Sequence, residues 1–511
     1  MRIRACVVAC LFFAASSVSL LAEAHTPEDR AAHAYQEAVQ AGPLALRAFL
    51  AQFPKGADLH VHLSGAVYAE TFIRDAGEDG LCVDPAALSF AKPPCAPPLV
   101  PAAQVPANQS LYDRLINAFS MRSFVPTTGF SGHDQFFSTF DRFGGLSKSH
   151  TGEWVDEVAS RAAAQNQQYL ELMETPAFAH AAALAAANPL TQDFASYRQK
   201  LLALGLRDEV AADREAVRSA EAQRRQIEHC GTPQTALACQ VQVRYIYQIL
   251  RGFAPEQVFA QTLLGIETIQ ASIEAGEQGF VGINFVMPED GVVSMRDYTL
   301  QMKMLDYLHS VYPQVPISLH AGELALGLVP PEGLRFHIRQ AVELGHAQRI
   351  GHGVDVAFED DAPALLKEMA DKHVMVEINL SSNEGILGVK GAHHPFPLYR
   401  AAHVPVALST DDEGVSRIDL TTEYVRAALD YHLSYADLKQ LARTGLEHSF
   451  LPGASLWAAP DEFTAANSAC KMQALGTKKP SAACKAFLDT SERAAAQWEL
   501  ERRFRAFEAR F

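Results

Sequence analysis

His60 and His62 stand two apart at the end of an alternating run, Ala57-Asp58-Leu59-His60-Val61-His62-Leu63. Residues two apart in a strand face the same way, so both imidazoles project to one side of the strand end. Two neutral imidazoles converging on a point can bind a metal; the pair suits zinc, copper, iron or nickel and does not choose among them. Four further clusters follow in the chain: Ile317-Ser318-Leu319-His320-Ala321-Gly322-Glu323, Arg349-Ile350-Gly351-His352-Gly353, Glu377-Ile378-Asn379-Leu380-Ser381-Ser382-Asn383 and Leu408-Ser409-Thr410-Asp411-Asp412. Three histidines and a carboxylate would hold a zinc ion that keeps a position open for water and lowers the pKa of that water toward neutrality. His60, His62, His320 and Asp411 are the candidate ligands. Glu323 and His352 remain for proton transfer and orientation, and Asp412, beside a ligand but pointing elsewhere, is placed to meet a substrate.

Taken singly, each cluster has a plainer reading. The paired histidines could sit on a surface, Glu323 could cap a helix, His352 could be a core histidine between turn glycines, and Asp411-Asp412 could start a helix. What favours chemistry is that all five clusters end or follow segments with strand character. Those segments are 57–63, 169–173, 240–249, 279–285, 317–319, 349–350, 374–378 and 406–408, separated by helical stretches such as 153–164, 206–228, 255–275 and 331–344. About eight βα units predict an α/β fold, a (β/α)₈ barrel whose strand ends converge on one mouth. Residues 25–52 read as a helical N-terminal extension that packs on the barrel or on a second subunit, which leaves a homodimer open. Residues 82–106, rich in proline and without periodicity, read as a small disulfide-tied insertion. Phe136, Phe137, Phe140 and Phe143 recur at helical spacing, as core packing or a pocket wall requires. From 420 to 511 the chain reads as wholly helical, and 53–511 as one catalytic domain.

At 511 residues the chain exceeds the usual size of a single core, a length that barrels reach as one domain. A formal net charge of −16 leaves no broad basic surface for a phosphate backbone, which argues against nucleic acid and favours a small uncharged or cationic substrate. Arg2 and Arg4, an apolar run over 5–21 and Ala22-Glu23-Ala24 have the form of a signal peptide, 1–24, and predict a periplasmic or secreted protein with no membrane anchor after cleavage. Cys6 and Cys10 would leave with it. Six cysteines remain in three close pairs, Cys82 with Cys95, Cys230 with Cys239 and Cys470 with Cys484, and local disulfides are the expected pairing.

The runs Pro54-Lys55-Gly56-Ala57-Asp58-Leu59-His60-Val61-His62-Leu63, His320-Ala321-Gly322-Glu323, Gly351-His352-Gly353 and Ser409-Thr410-Asp411-Asp412 resemble the adenosine deaminase family of metal-dependent hydrolases, over roughly 53–448. The exported, cysteine-paired form with a helical extension is similar to the secreted subgroup also called adenosine deaminase-related growth factors. The resemblance implies a barrel with one zinc per chain that converts adenosine, and 2'-deoxyadenosine, with water to the inosine product and ammonia. It implies zinc on His60, His62, His320 and Asp411, a proton from Glu323 to purine N1, orientation of the attacking water by His352, and a hydrogen bond from Asp412 to N7. Two positions depart from the family pattern. Ser64 stands where an aspartate would meet the ribose 5'-hydroxyl, and Met287, within Asn284-Phe285-Val286-Met287-Pro288-Glu289, stands where a glycine N–H would meet purine N3. They keep open another 6-aminopurine, adenine or an N6-substituted adenosine. A nucleoside-binding or signalling protein with decayed catalysis is the reading from a different class. The other zinc deaminase design, His-x-Glu with Pro-Cys-x-x-Cys, does not occur.

Overall fold

Every segment with strand character forms a strand in the computed structural model, which describes residues 26–511. The strands are β1 (Gly56–His62), β2 (Gln167–Glu174), β3 (Gln242–Leu250), β4 (Phe280–Val286), β5 (Ser318–Ala321), β6 (Arg349–His352), β7 (Met375–Ile378) and β8 (Val406–Leu408). Nearly all their residues are buried, because helices cover one face and side chains fill the ring on the other. They pair in parallel as two four-stranded halves, β1-β2-β3-β4 and β5-β6-β7-β8. Two narrow seams close the ring: Ile283 on β4 bridges Ile317, and Val61 on β1 bridges Asp411. At the second seam the His62 N–H donates to the Asp411 carbonyl at 3.1 Å and the Asp411 N–H donates to the His60 carbonyl at 2.8 Å. The expected (β/α)₈ barrel is thereby formed. The expected signal peptide, 1–24, lies outside the described residues. No helix among the described residues is long and apolar enough to cross a membrane.

The N-terminal extension is two helices, α1 (Pro27–Ala41) and α2 (Pro43–Gln52), each begun by a proline where a helix needs no N–H. Thr26 and Asp29 cap α1 reciprocally. The extension packs on its own barrel: Tyr35 donates to the Leu433 carbonyl at 2.7 Å, and Phe49 meets Tyr435 and Phe507 edge-on. The three disulfides join the neighbouring cysteines as expected.

Two regions differ from their sequence reading. Residues 82–106 hold a three-stranded antiparallel sheet of Cys82–Asp84, Ser89–Ala91 and Val100–Pro101. Strands of two or three residues are too short to show alternation. The C-terminal region is not wholly helical, for 448–481 contains no helix. Pro452-Gly453, Pro460, Gly476 and Pro480 interrupt it, and the Cys470–Cys484 bond with Leu456 and Trp498 gives it a small core of its own. Helices resume at Ala482–Leu488 and Glu492–Glu508.

Lys55 lies at the opposite end of β1 from the histidines and is fully buried. Its ammonium donates to the carbonyls of Leu50 at 2.6 Å, Phe53 at 3.1 Å and Gln165 at 2.7 Å. Burial pulls Lys55 down to about 7, while three acceptors match the three hydrogens of the charged form. Leu50 and Phe53 terminate α2, and Gln165 follows the helix Thr151–Ala164, so one side chain joins the extension to the barrel. Lys55→Met is expected to leave these carbonyls without their donor and to lower the unfolding free energy by about 2–4 kcal/mol. Denaturant unfolding would read this as a lower midpoint at unchanged slope; an unshifted midpoint would show that the joint contributes nothing.

Candidate active site

The polar residues at the strand ends meet in one place. His60 and His62 come from β1, His320 from β5, and Asp411 from the turn after β8. The Nε2 atoms of His62 and His320 are 3.2 Å apart, and Asp411 Oδ1 lies 3.4 Å from His60 Nε2 and 3.2 Å from His62 Nε2. The donor atoms of all four lie within 4.8 Å of one another. Donors about 2.0–2.1 Å from a shared tetrahedral centre stand roughly 3.3 Å apart, so the separations suit a zinc-sized ion. His60 Nε2 and Asp411 Oδ1 are buried with no hydrogen-bond partner, an unfavourable state that a cation would relieve. The residues present therefore fit the metal.

The far nitrogen of each ligand candidate is also placed. His60 Nδ1 meets Glu377 at 2.6 Å, His62 Nδ1 meets Gln248 Oε1 at 2.5 Å and His320 Nδ1 meets Asn284 Oδ1 at 2.7 Å. Three acceptors hold the hydrogen on Nδ1 and leave the Nε2 lone pair free, as metal ligation requires. Ser382 donates to Asp411 Oδ2 at 2.6 Å, which leaves Oδ1 to the other side. Beneath them Arg349 pairs with Glu377 and Glu171, each at 2.6 Å. Burial alone would raise Glu377; Arg349 and His60 outweigh it and keep the carboxyl below its usual range.

Glu323 follows His320 on a turn that Glu289 holds, accepting from the N–H groups of Gly322 at 3.0 Å and Glu323 at 2.7 Å and meeting His337 Nδ1 at 2.5 Å. Burial, with Asp411 and Glu289 adding to it, pushes the Glu323 carboxyl well above its usual range, so the acid form is favoured. Burial pulls His352 down to about 3 and keeps it neutral. Asp412 is buried with Oδ1 unpaired, and burial raises it too. Gly65 is required beside it, since a Cβ there would lie 1.4 Å from Asp412 Oδ1.

These groups face a cavity of about 700 Å³. Its outer wall is α3 (Gly132–Arg142), capped by Ser131 and Asp134. Phe137 and Phe140 turn toward the cavity, while Phe143 packs inward on Phe72 and Phe119, so the aromatic stripe serves both as core and as wall. His133 reaches across the mouth to Asp290 at 2.9 Å. Ser64 and Met287 line the cavity. Met287 holds a left-handed backbone, φ +95°, that disfavours any residue but glycine, and its thioether lies against Gly252, where a Cβ would be 2.9 Å from the sulfur.

The structure thus brings together every residue singled out for metal, proton transfer and substrate. Sequence reasoning singled out the clusters that contain Glu377 and Asn284 without assigning these two a role, and it missed Gln248. A polar residue near the C-terminal end of a buried strand was the available signal, and no motif surrounds it.

The adenosine deaminase family model matches residues 147–458, more than half of the chain. Adenosine deaminase of Enterococcus faecalis is 38% identical over 138 residues, 27% of this chain and 37% of that protein, so the matched stretch spans little more than a third of the relative's length. Among solved structures, the N6-methyl-AMP deaminase of Arabidopsis thaliana superposes with a TM-score of 0.51 at 20% identity, covering 80% of this chain and 94% of that one. An amidohydrolase of Burkholderia ambifaria with bound zinc gives 0.51 at 17% identity, covering 80% and 88%. These superpositions show the shared barrel. With its own family model matched over most of the barrel, the chain belongs to the adenosine deaminase family.

Proposed function

We propose that this protein is an exported, zinc-dependent deaminase that converts adenosine and 2'-deoxyadenosine with water to the inosine products and ammonia. The observation that carries the reading is the set of His60, His62, His320 and Asp411, whose donor atoms lie within 4.8 Å of one another, beside the buried Glu323 carboxyl, which burial pushes toward its acid form. One zinc ion held by His60, His62, His320 and Asp411 supplies the Lewis acidity that makes water a nucleophile near neutral pH. Glu323 gives its proton to purine N1 as C6 becomes tetrahedral. Asp412, kept protonated by burial, donates to N7 and fixes the ring. The Met287 N–H meets N3, and Ser64 offers its hydroxyl to the sugar.

Among the described residues none of the side chains lining the cavity is a lysine or arginine, while Asp134 and Asp141 are there. This supports a nucleoside over a nucleotide such as the N6-methyl-AMP of the Arabidopsis enzyme. The bulk of Met287 and the short Ser64 favour one alternative, free adenine, which relative kcat/KM for adenosine and adenine would separate. The three disulfides support export, since such bonds persist in oxidising compartments.

Chelation is expected to abolish adenosine turnover and added zinc to restore it; full turnover by metal-free protein would refute the assignment. Glu323→Gln should lower kcat by about 10²–10⁴-fold with zinc retained, and wild-type turnover would remove Glu323 from the reaction. Gln248→Leu should weaken zinc retention about 10–100-fold against a competing chelator, whereas unchanged affinity would mean that the hydrogen bond to His62 does not matter to the metal.

A further inference from the structure

Behind His352 a series of hydrogen bonds runs in one direction through His394 and through Asn383 of the cluster 377–383, residues for which the reaction above has no use. It starts at the main chain. The N–H of Phe396 is the first of the helix Phe396–Ala401, one of the donors that a helix leaves unpaired. It donates to His394 Nδ1 at 3.1 Å. A ring nitrogen that accepts carries no hydrogen, so the hydrogen of this buried, neutral imidazole is on Nε2. His394 Nε2 lies 3.0 Å from Asn383 Oδ1, which fixes the amide with its oxygen toward His394. The Asn383 NH₂ group then faces His352 Nδ1 at 2.9 Å. Asn379 Nδ2 approaches the same atom at 3.4 Å, and Glu323 Oε1 at 3.6 Å is beyond hydrogen-bond reach. His352 Nδ1 can only accept. Its hydrogen is therefore on Nε2, an atom buried without a protein partner and 3.8 Å from Asp411 Oδ2.

This is the reverse of His60, His62 and His320, whose Nδ1 atoms face acceptors. We propose that Asn383 and His394 are positioning residues that hold His352 as a neutral imidazole with its hydrogen on Nε2, so that it serves the reaction as a hydrogen-bond donor and neither as a base nor as a fourth imidazole ligand. Because the series begins at a main-chain N–H, which cannot accept, no link can reverse without breaking another. A donor fixed before reaction stabilises negative charge developing on the oxygen that adds to the substrate, without having to reorient. The inference rests on the deaminase reading only for the identity of that oxygen.

The test is nitrogen NMR of the zinc-loaded protein with ¹⁵N-labelled histidine, His352 being assigned among the 19 histidines by its loss in a His352→Gln variant. The wild type is expected to show the Nε2–H form. Asn383→Asp, nearly identical in shape, offers only acceptors when ionised. It is expected to move the hydrogen to Nδ1 and to lower kcat about 100-fold or more, with KM and zinc content within about threefold of wild type. His394→Phe frees the Asn383 amide to rotate and is expected to give a mixture of both forms with a smaller loss, about tenfold. An Nδ1–H or doubly protonated His352 in the wild type overturns the proposal, as does an Asn383→Asp variant with wild-type kcat. If adenosine is deaminated but His352 carries Nδ1–H, this inference falls alone; if no aminopurine is deaminated while the spectra behave as expected, the reading of the reaction falls and the positioning stands.

Discussion

A ring of parallel strands has to be closed, and at one of the two seams of this ring the closing bonds are made by residues that carry the candidate metal donors. His60 and His62 exchange main-chain hydrogen bonds with Asp411 across the seam between β1 and β8, and Asp58 accepts from the hydroxyl and N–H of Thr410 at 2.7 and 3.2 Å. The seam is narrow because Asp411 lies beyond the end of its strand with a left-handed backbone, φ +61°. His352 at +70° and Met287 at +95° adopt the same unfavoured region around the mouth. Each such residue costs of order 1–3 kcal/mol and persists only where the surroundings leave it no alternative. Here the closed ring supplies that rigidity, and the strained turns aim side chains inward that a relaxed strand end would direct elsewhere.

The charges buried under the mouth follow from the same closure. Glu377 is shared, with one oxygen facing Arg349 and the other His60, and Glu171 pairs with the second side of the guanidinium. A buried carboxylate or guanidinium alone would be strongly unfavourable, and neither is alone. Arg349 thereby anchors the acceptor that orients the His60 imidazole, a candidate ligand. At the other end of β1, Lys55 ties helix ends together without touching the cavity. One seven-residue strand thus supports the chemistry at one end and the assembly of the domain at the other.

The barrel was legible in the sequence because buried parallel strands read as apolar runs, and the site because its residues stand where those runs end. Close cysteine pairs likewise announced their own bonds. What could not be read depends on register between distant segments. Gln248 faces His62 across 186 residues of sequence, and Asn383 faces His352 from a helix whose Ser and Asn residues also suit a plain turn. The sheet within 82–106 is too short for its period to show. The stretch 448–481 carried its proline and glycine interruptions openly, but the helical composition on both sides masked them. Phe137 and Phe143 share one stripe and face opposite ways because α3 lies between the core and the cavity.

The cavity is assembled from two kinds of coding. Its inner half draws single residues from strand ends spread between 62 and 412, whereas much of its outer wall is one contiguous stretch, 130–141, inserted between the first two strands. Inheritance treats these unequally. A change in the reacting groups needs concerted substitution at sites far apart in the gene, each held by its own partners. A change in the outer part of the mouth needs only the reworking of one short segment that leaves the ring untouched. The wall is therefore separable from the ring, whereas Ser64, Met287 and Asp412, which also line the cavity, are tied to it.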